Sequence, residues 1–90
     1  MIIERIYIME FNYKTKGTCS REIAFEIEDG KVKNVQFFGG CNGNLKGIAA
    51  LVEGMDIDEV ITRVEGIRCG SKVTSCPDQL AQALKEAKSI

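Results

Sequence analysis

Histidine is missing from this 90-residue chain, so any soft-metal site in it has to be built from cysteine. No Cys-x-x-Cys pair occurs, so the close pairing typical of zinc ribbons is absent and cysteine spacing alone is a weak metal signal. No Gly-Lys-Ser/Thr and no dinucleotide-type glycine pattern is present, which removes the usual phosphate-loop signatures. Charge of one sign is lacking too. The formal net charge is −1, which gives no electrostatic case for direct nucleic-acid binding or for an anionic membrane. None of the six aromatic residues is interleaved with a basic run, which weakens single-strand binding further. No stretch approaches the ~20 apolar residues of a membrane span. The first ten residues, apolar but broken by Glu4, Arg5 and Glu10, lack the layout of a secretory leader. A cytoplasmic location is the expectation, and with it reduced thiols. No linker, repeat or low-complexity segment divides residues 1–90, so a single domain is expected.

What the chain does have is four cysteines: Cys19, Cys41, Cys69 and Cys76. Each lies in or beside a turn-like segment: Gly17-Thr18-Cys19-Ser20, Gly39-Gly40-Cys41-Asn42-Gly43, Arg68-Cys69-Gly70-Ser71 and Thr74-Ser75-Cys76-Pro77-Asp78. A structural thiol is normally a small hydrophobe inside a strand or helix. Thiols at loop-to-helix junctions are instead where metals, clusters and redox partners reach them. Cys76 and Cys41 both precede helical patterns, where unpaired N–H groups favour a thiolate. Four readings remain open from the residues alone: buried or incidental thiols, a metal or iron–sulfur site of three or four thiolates, thiol–disulfide exchange, and two structural disulfides in one of three pairings, which a reducing compartment disfavours. Asp78 and Glu22 are candidate oxygen ligands. Lys16, Arg21, Lys46, Arg68 and Lys72 stand close in sequence to the thiols and could offset thiolate charge. Gly39, Gly40 and Gly43 are weak candidates for nucleotide binding through backbone N–H groups at a helix start; alternatively, they let the chain turn sharply beside Cys41.

The hydrophobic pattern predicts an α+β fold, with a three-stranded antiparallel sheet in the first half packed by about three helices in the second. Residues 3–13 suit a strand. Ile23, Phe25 and Ile27 alternate with charged or small neighbours, and Asp29-Gly30 is a hairpin turn returning through Lys31 to Phe38. Lys31 and Lys33 then face the glutamates across the ladder. Leu45, Ile48, Ala49 and Val52 mark a first helix closed by Gly54. Ile57, Val60, Ile61 and Val64 mark a second, with Asp56 and Glu59 as a capping box and Gly66 as its stop. Leu80, Ala83, Leu84 and Ala87 mark a third, entered through Ser75-Cys76-Pro77-Asp78.

Those cysteine contexts carry a resemblance. Thr74-Ser75-Cys76-Pro77-Asp78 spells the motif of the TSCPD domain family, and the segments around Cys19, Cys41 and Cys69 agree with it in order over roughly residues 14–88. The resemblance implies metal ligands at Cys19, Cys41, Cys69 and Cys76, with zinc or an iron–sulfur cluster as the cofactor. It also implies a protein partner, a ribonucleotide reductase or another protein, since such domains occur alone and appended to adenosylcobalamin-dependent reductases. The expected function is thus an accessory metal-binding module of ribonucleoside-diphosphate reductase and deoxyribonucleotide synthesis. Reductase catalysis by this chain alone is not expected, because 90 residues cannot enclose nucleotide, radical and reducing thiols together. A more distant resemblance, to iron–sulfur scaffold proteins of the IscU/NifU type, matches Cys19, Cys41 and Cys76 to the three scaffold cysteines. It implies a scaffold-like fold and, as alternative functions, cluster assembly or carriage; a thiol–disulfide relay to a reductase is a further alternative. Arg21 and Ser75 depart from that scaffold's acidic and histidine positions, and Cys69 is extra.

Overall fold

The computed structural model describes residues 8–40 and 42–89, with only the backbone described at Asn42. Three strands, β1 (Ile8–Lys14), β2 (Ser20–Glu28) and β3 (Lys31–Gly39), form an antiparallel sheet in the order β1-β2-β3. Three helices follow: α1 (Asn42–Val52), α2 (Ile57–Val64) and α3 (Cys76–Lys88). The α+β arrangement is the expected one. The part of the first expected strand before Ile8 lies outside the described residues.

The β2–β3 connection is the two-residue hairpin that Asp29-Gly30 announces. Both residues take positive φ, 53° and 74°, the left-handed pair that a turn matched to strand twist requires. Glu28 then stands opposite Lys31 and Glu26 opposite Lys33. The core consists of Ile23, Phe25, Val32 and Val35 from the sheet, Val52 from α1, Val60 and Ile61 from α2, and Leu80, Ala83, Leu84 and Ala87 from α3. Leu80 and Leu84 are fully buried, each contributing about 1.5–3 kcal/mol of apolar burial. Helix α1 packs along β3, while α2 packs on α3, which crosses β2.

Two irregularities re-aim the sheet. Asn34, at φ 52°, is an extra residue on β3, because Phe25 faces both Asn34 and Val35 between the Ala24–Gln36 and Glu26–Lys33 pairs. Arg21 is an extra residue on β2, between the Ser20–Gly39 and Glu22–Phe38 pairs. Each bulge shifts the inward-facing positions by one residue. Inward positions therefore run Val32, then Val35 and Phe37, on β3, and Ser20, then Ile23 and Phe25, on β2. The second shift turns Ser20, 2% exposed, toward the helices.

One local expectation is corrected. Asp56 is the N-cap of α2 but makes no side-chain cap hydrogen bond. Its carboxylate is drawn instead to Lys31, 3.1 Å away, and Glu59 pairs with Arg63 one turn on, so both members of the expected capping box are engaged elsewhere.

Candidate cysteine site at one end of the domain

Cys19 ends the β1–β2 loop, and Cys76 opens α3. The Ser20 hydroxyl and the Cys76 Sγ lie 3.1 Å apart, so the peptide carrying Cys19 abuts the helix start that carries Cys76. Lys72 donates from Nζ to the Cys19 Sγ at 3.8 Å. Lys72 closes a turn that begins at Cys69, where its N–H donates to the Cys69 carbonyl at 3.0 Å and Gly70 takes φ 59°. The Cys69 N–H in turn donates to the Thr74 carbonyl at 3.1 Å. The segments bearing Cys19, Cys69 and Cys76 are thus tied together at one end of the sheet. Cys19 and Cys69 are exposed and Cys76 is half-buried.

Cys41 lies outside the described residues, but Gly40, which precedes it, is well placed. At φ 82°, a Cβ on Gly40 would stand 3.0 Å from Leu45 Cδ1 and 3.1 Å from the Ser20 N. Only glycine lets the end of β3 approach the Cys19-Ser20 peptide so closely. Gly39 shares the positive φ and packs on the same peptide, whereas Gly43 has nothing within 4 Å.

The letters of the Thr74-Ser75-Cys76-Pro77-Asp78 motif divide between holding and chemistry. Ser75 is the N-cap of α3, accepting from the Asp78 N–H at 3.1 Å and donating to the Ile67 carbonyl at 2.6 Å. Asp78 accepts from the Gly66 N–H at 2.7 Å and from the Thr74 hydroxyl. Thr74 accepts from the Gln79 amide at 3.0 Å, and the Gln79 carbonyl accepts from the Lys16 N–H at 3.0 Å. All four of these side chains are buried. Together they clamp the loop of Cys69 and the loop of Cys19 onto the N-terminus of α3. Burial pushes the Asp78 carboxyl up, but hydrogen bonds from Thr74, the Gly66 N–H and Gln82 outweigh it and hold the group below its ordinary 3.8. Asp78, considered from sequence as an oxygen ligand, is therefore a clamp, with its oxygens engaged by protein donors. Glu22, the other such candidate, sits on β2 opposite Lys14 and Phe38.

Sequence reasoning missed Ser20 and the Thr74–Asp78–Gln79 clamp. Ser75-x-x-Asp78 does fit the spacing of a helix-start signature. Nothing comparable marks Ser20, whose burial depends on the Arg21 bulge.

Among the described residues, no group of three or more Cys, Asp or Glu side chains stands ready to hold a metal ion. The donor set nevertheless suits a soft metal: thiols on convergent segments, with a hydroxyl at Cys76 and an ammonium at Cys19 as hydrogen-bond partners to sulfur. The cations anticipated near the thiols (Lys16, Arg21, Lys46, Arg68 and Lys72) are all exposed, and Lys72 is the one with a hydrogen bond to sulfur among the described residues. None of the five takes part in the ion pairs found among the described residues, which involve Lys31, Arg63, Lys85 and Lys88. No described helix is long and apolar enough to cross a membrane.

Comparison with known proteins returned no matching curated protein and no matching solved structure. A model of the TSCPD domain matches residues 9–88, which takes in every cysteine and all six elements but for Ile8 at the start of β1. With that match over nearly its whole length, the chain belongs to the TSCPD domain family.

Proposed function

We propose that this chain is a cytoplasmic metal-binding accessory module for ribonucleotide reduction, with Cys19, Cys41, Cys69 and Cys76 holding zinc or an iron–sulfur cluster. The observation that carries the reading is the contact chain from Cys76 Sγ through Ser20 to Cys19 Sγ and Lys72, which ties three of the four thiol-bearing segments together. Zinc on four thiolates would act as a closed structural centre, whereas a cluster would supply electron transfer. The protein's own part is to hold the thiols and balance their charge. Ser20 and Lys72 supply hydrogen bonds to sulfur, and exposed Lys16, Arg21, Lys46 and Arg68 offset the roughly two net negative charges of a tetrathiolate zinc site. The tie to a reductase rests on the family alone.

Retention is favoured over transfer to an acceptor. In the scaffold comparison, Ser75 stands where a labile scaffold has histidine, and here its hydroxyl is committed to capping α3 and to the Ile67 carbonyl. Metal analysis and a visible spectrum of protein purified without air test the reading, and a bound soft metal or cluster is the expected result. Cys41→Ser should lower the melting temperature far more in metal-loaded protein than in metal-stripped protein, because metal binding adds to folding free energy. An equal drop in both would favour incidental thiols instead.

A further inference from the structure

The two edges of the sheet are treated differently. The first half of the outer edge of β3 is covered: the Val32 N–H donates to the Met55 carbonyl at 2.8 Å, the Gly54 N–H donates to the Val32 carbonyl at 2.7 Å, and the Asn34 N–H donates to Glu53 at 2.8 Å. The outer edge of β1 has no strand or loop on it among the described residues. Its seven residues contain no proline and no bulge, two of the usual devices that blunt an open edge.

The polar groups of that edge can be assigned. Thr15 stands opposite Arg21 in the β1–β2 register, and its N–H donates to the Arg21 carbonyl at 3.1 Å. Bonded pairs alternate in an antiparallel ladder, so Met9, Phe11 and Tyr13 bond to β2. Ile8, Glu10, Asn12 and Lys14 therefore aim their N–H and C=O groups outward. The side chains of Glu10, Asn12 and Lys14 lie on the solvent face, while Phe11 and Tyr13 lie half-buried on the helix face.

The charges on this strand are self-complementary about Asn12. Pairing β1 with a copy of itself around a two-fold axis at Asn12 sets Glu10 opposite Lys14 of the second copy, twice. It also sets Phe11 opposite Tyr13, twice. An axis at Glu10 would oppose two carboxylates, and an axis at Phe11 would leave Glu10 facing Asn12. Glu10 has cause to seek a cation: its cross-strand neighbour on β2 is Glu26, a like charge, and it joins none of the ion pairs among the described residues.

We propose that the chain forms a homodimer in which β1 pairs antiparallel with β1 of a second copy about a two-fold axis at Asn12, joining the two sheets into one of six strands. The bonded pairs Glu10–Lys14, Asn12–Asn12 and Lys14–Glu10 satisfy the open edge. The helices of both copies lie on one face, and the cysteine-bearing ends point to opposite ends of the sheet, where each stays accessible.

The test is sedimentation velocity on the full chain across a concentration series, with Glu10→Lys and Lys14→Glu examined separately and mixed. Each variant alone places like charges at both pairs, and its dimer Kd should rise at least about fivefold. Mixed together, the two variants restore both opposite-charge pairs and should form a heterodimer of near wild-type affinity. Asn12→Pro removes an outward N–H that the monomer does not use; it should abolish the dimer while far-UV circular dichroism stays unchanged. A wild-type chain that remains monomeric up to millimolar concentration overturns the proposal. So does a dimer that ignores the charge exchanges, which would place the contact on another face.

Discussion

Asp78 is the residue whose replacement tests the clamp most directly. It is 7% exposed and accepts from the Gly66 N–H and the Thr74 hydroxyl. In Asp78→Asn the shape is kept, but one acceptor becomes a donor. The Thr74 oxygen already accepts from Gln79 at 3.0 Å, so its own hydrogen loses its only acceptor in the clamp. Losing one charge-assisted hydrogen bond in a buried site costs about 1.5–3 kcal/mol, which for a domain of this size lowers Tm by about 6–24 °C. The sign of the pH dependence follows from the carboxyl being held below its ordinary 3.8 in the fold. A depressed carboxyl contributes stability that is complete above its unfolded-state value and fades as pH falls through the folded one. The gap between wild type and Asp78→Asn should therefore stay constant from neutral pH to about pH 5, then narrow as pH falls below that of an ordinary carboxylate. Urea denaturation of both proteins at matched pH values measures this gap. A gap that is absent at neutral pH, or that widens in acid, would refute the clamp.

Two further substitution pairs test the local geometry. Gly40→Ala meets both a φ of 82° and a Cβ contact at 3.0 Å; it should cost about 1–3 kcal/mol, whereas Gly47→Ala, inside α1 with nothing within 4 Å, should stabilise by about 0.5–1 kcal/mol, both read by thermal melts. Asn34→Val puts a β-branched residue at φ 52° and takes an amide away from Glu26; it should lower Tm by about 4 °C or more, whereas Asn34→Gly should change it little.

Most of the fold was legible because it rests on local signals that agree with one another. The Asp29-Gly30 turn sets the β2–β3 hairpin, and Leu80, Ala83, Leu84 and Ala87 repeat at helical spacing along a face that is buried in full. Asp56-x-x-Glu59 misled because a capping box is a local pattern, and two nearby cations, Lys31 and Arg63, compete for its carboxylates. The bulges were less visible but left a trace. Val32, Val35 and Phe37 cannot share one face of a regular strand, and they do so only because Asn34, a residue tolerant of positive φ, is inserted between them.

The candidate site was legible in its sulfur and not in its support. Cysteines at turns announce themselves by residue type. Ser20 does not, since it reaches Cys76 only after the Arg21 bulge has turned it inward. The motif around Cys76 reads as one unit in sequence, yet its atoms do different work. Ser75 caps the helix, Asp78 holds the Gly66 N–H in the loop that carries Cys69 and Lys72, and Thr74 donates to Asp78. Cys76 alone among them presents a soft donor. If chemistry were the only constraint on this segment, a cysteine followed by almost any good helix former would serve. The buried hydrogen bonds explain why threonine, serine and aspartate surround it: Ser75 and Asp78 fix the Gly66-Ile67 segment to the helix start, Thr74 braces Asp78 and Gln79, and Gln79 holds the loop of Cys19 at the Lys16 N–H, so the thiol positions follow from that fixing.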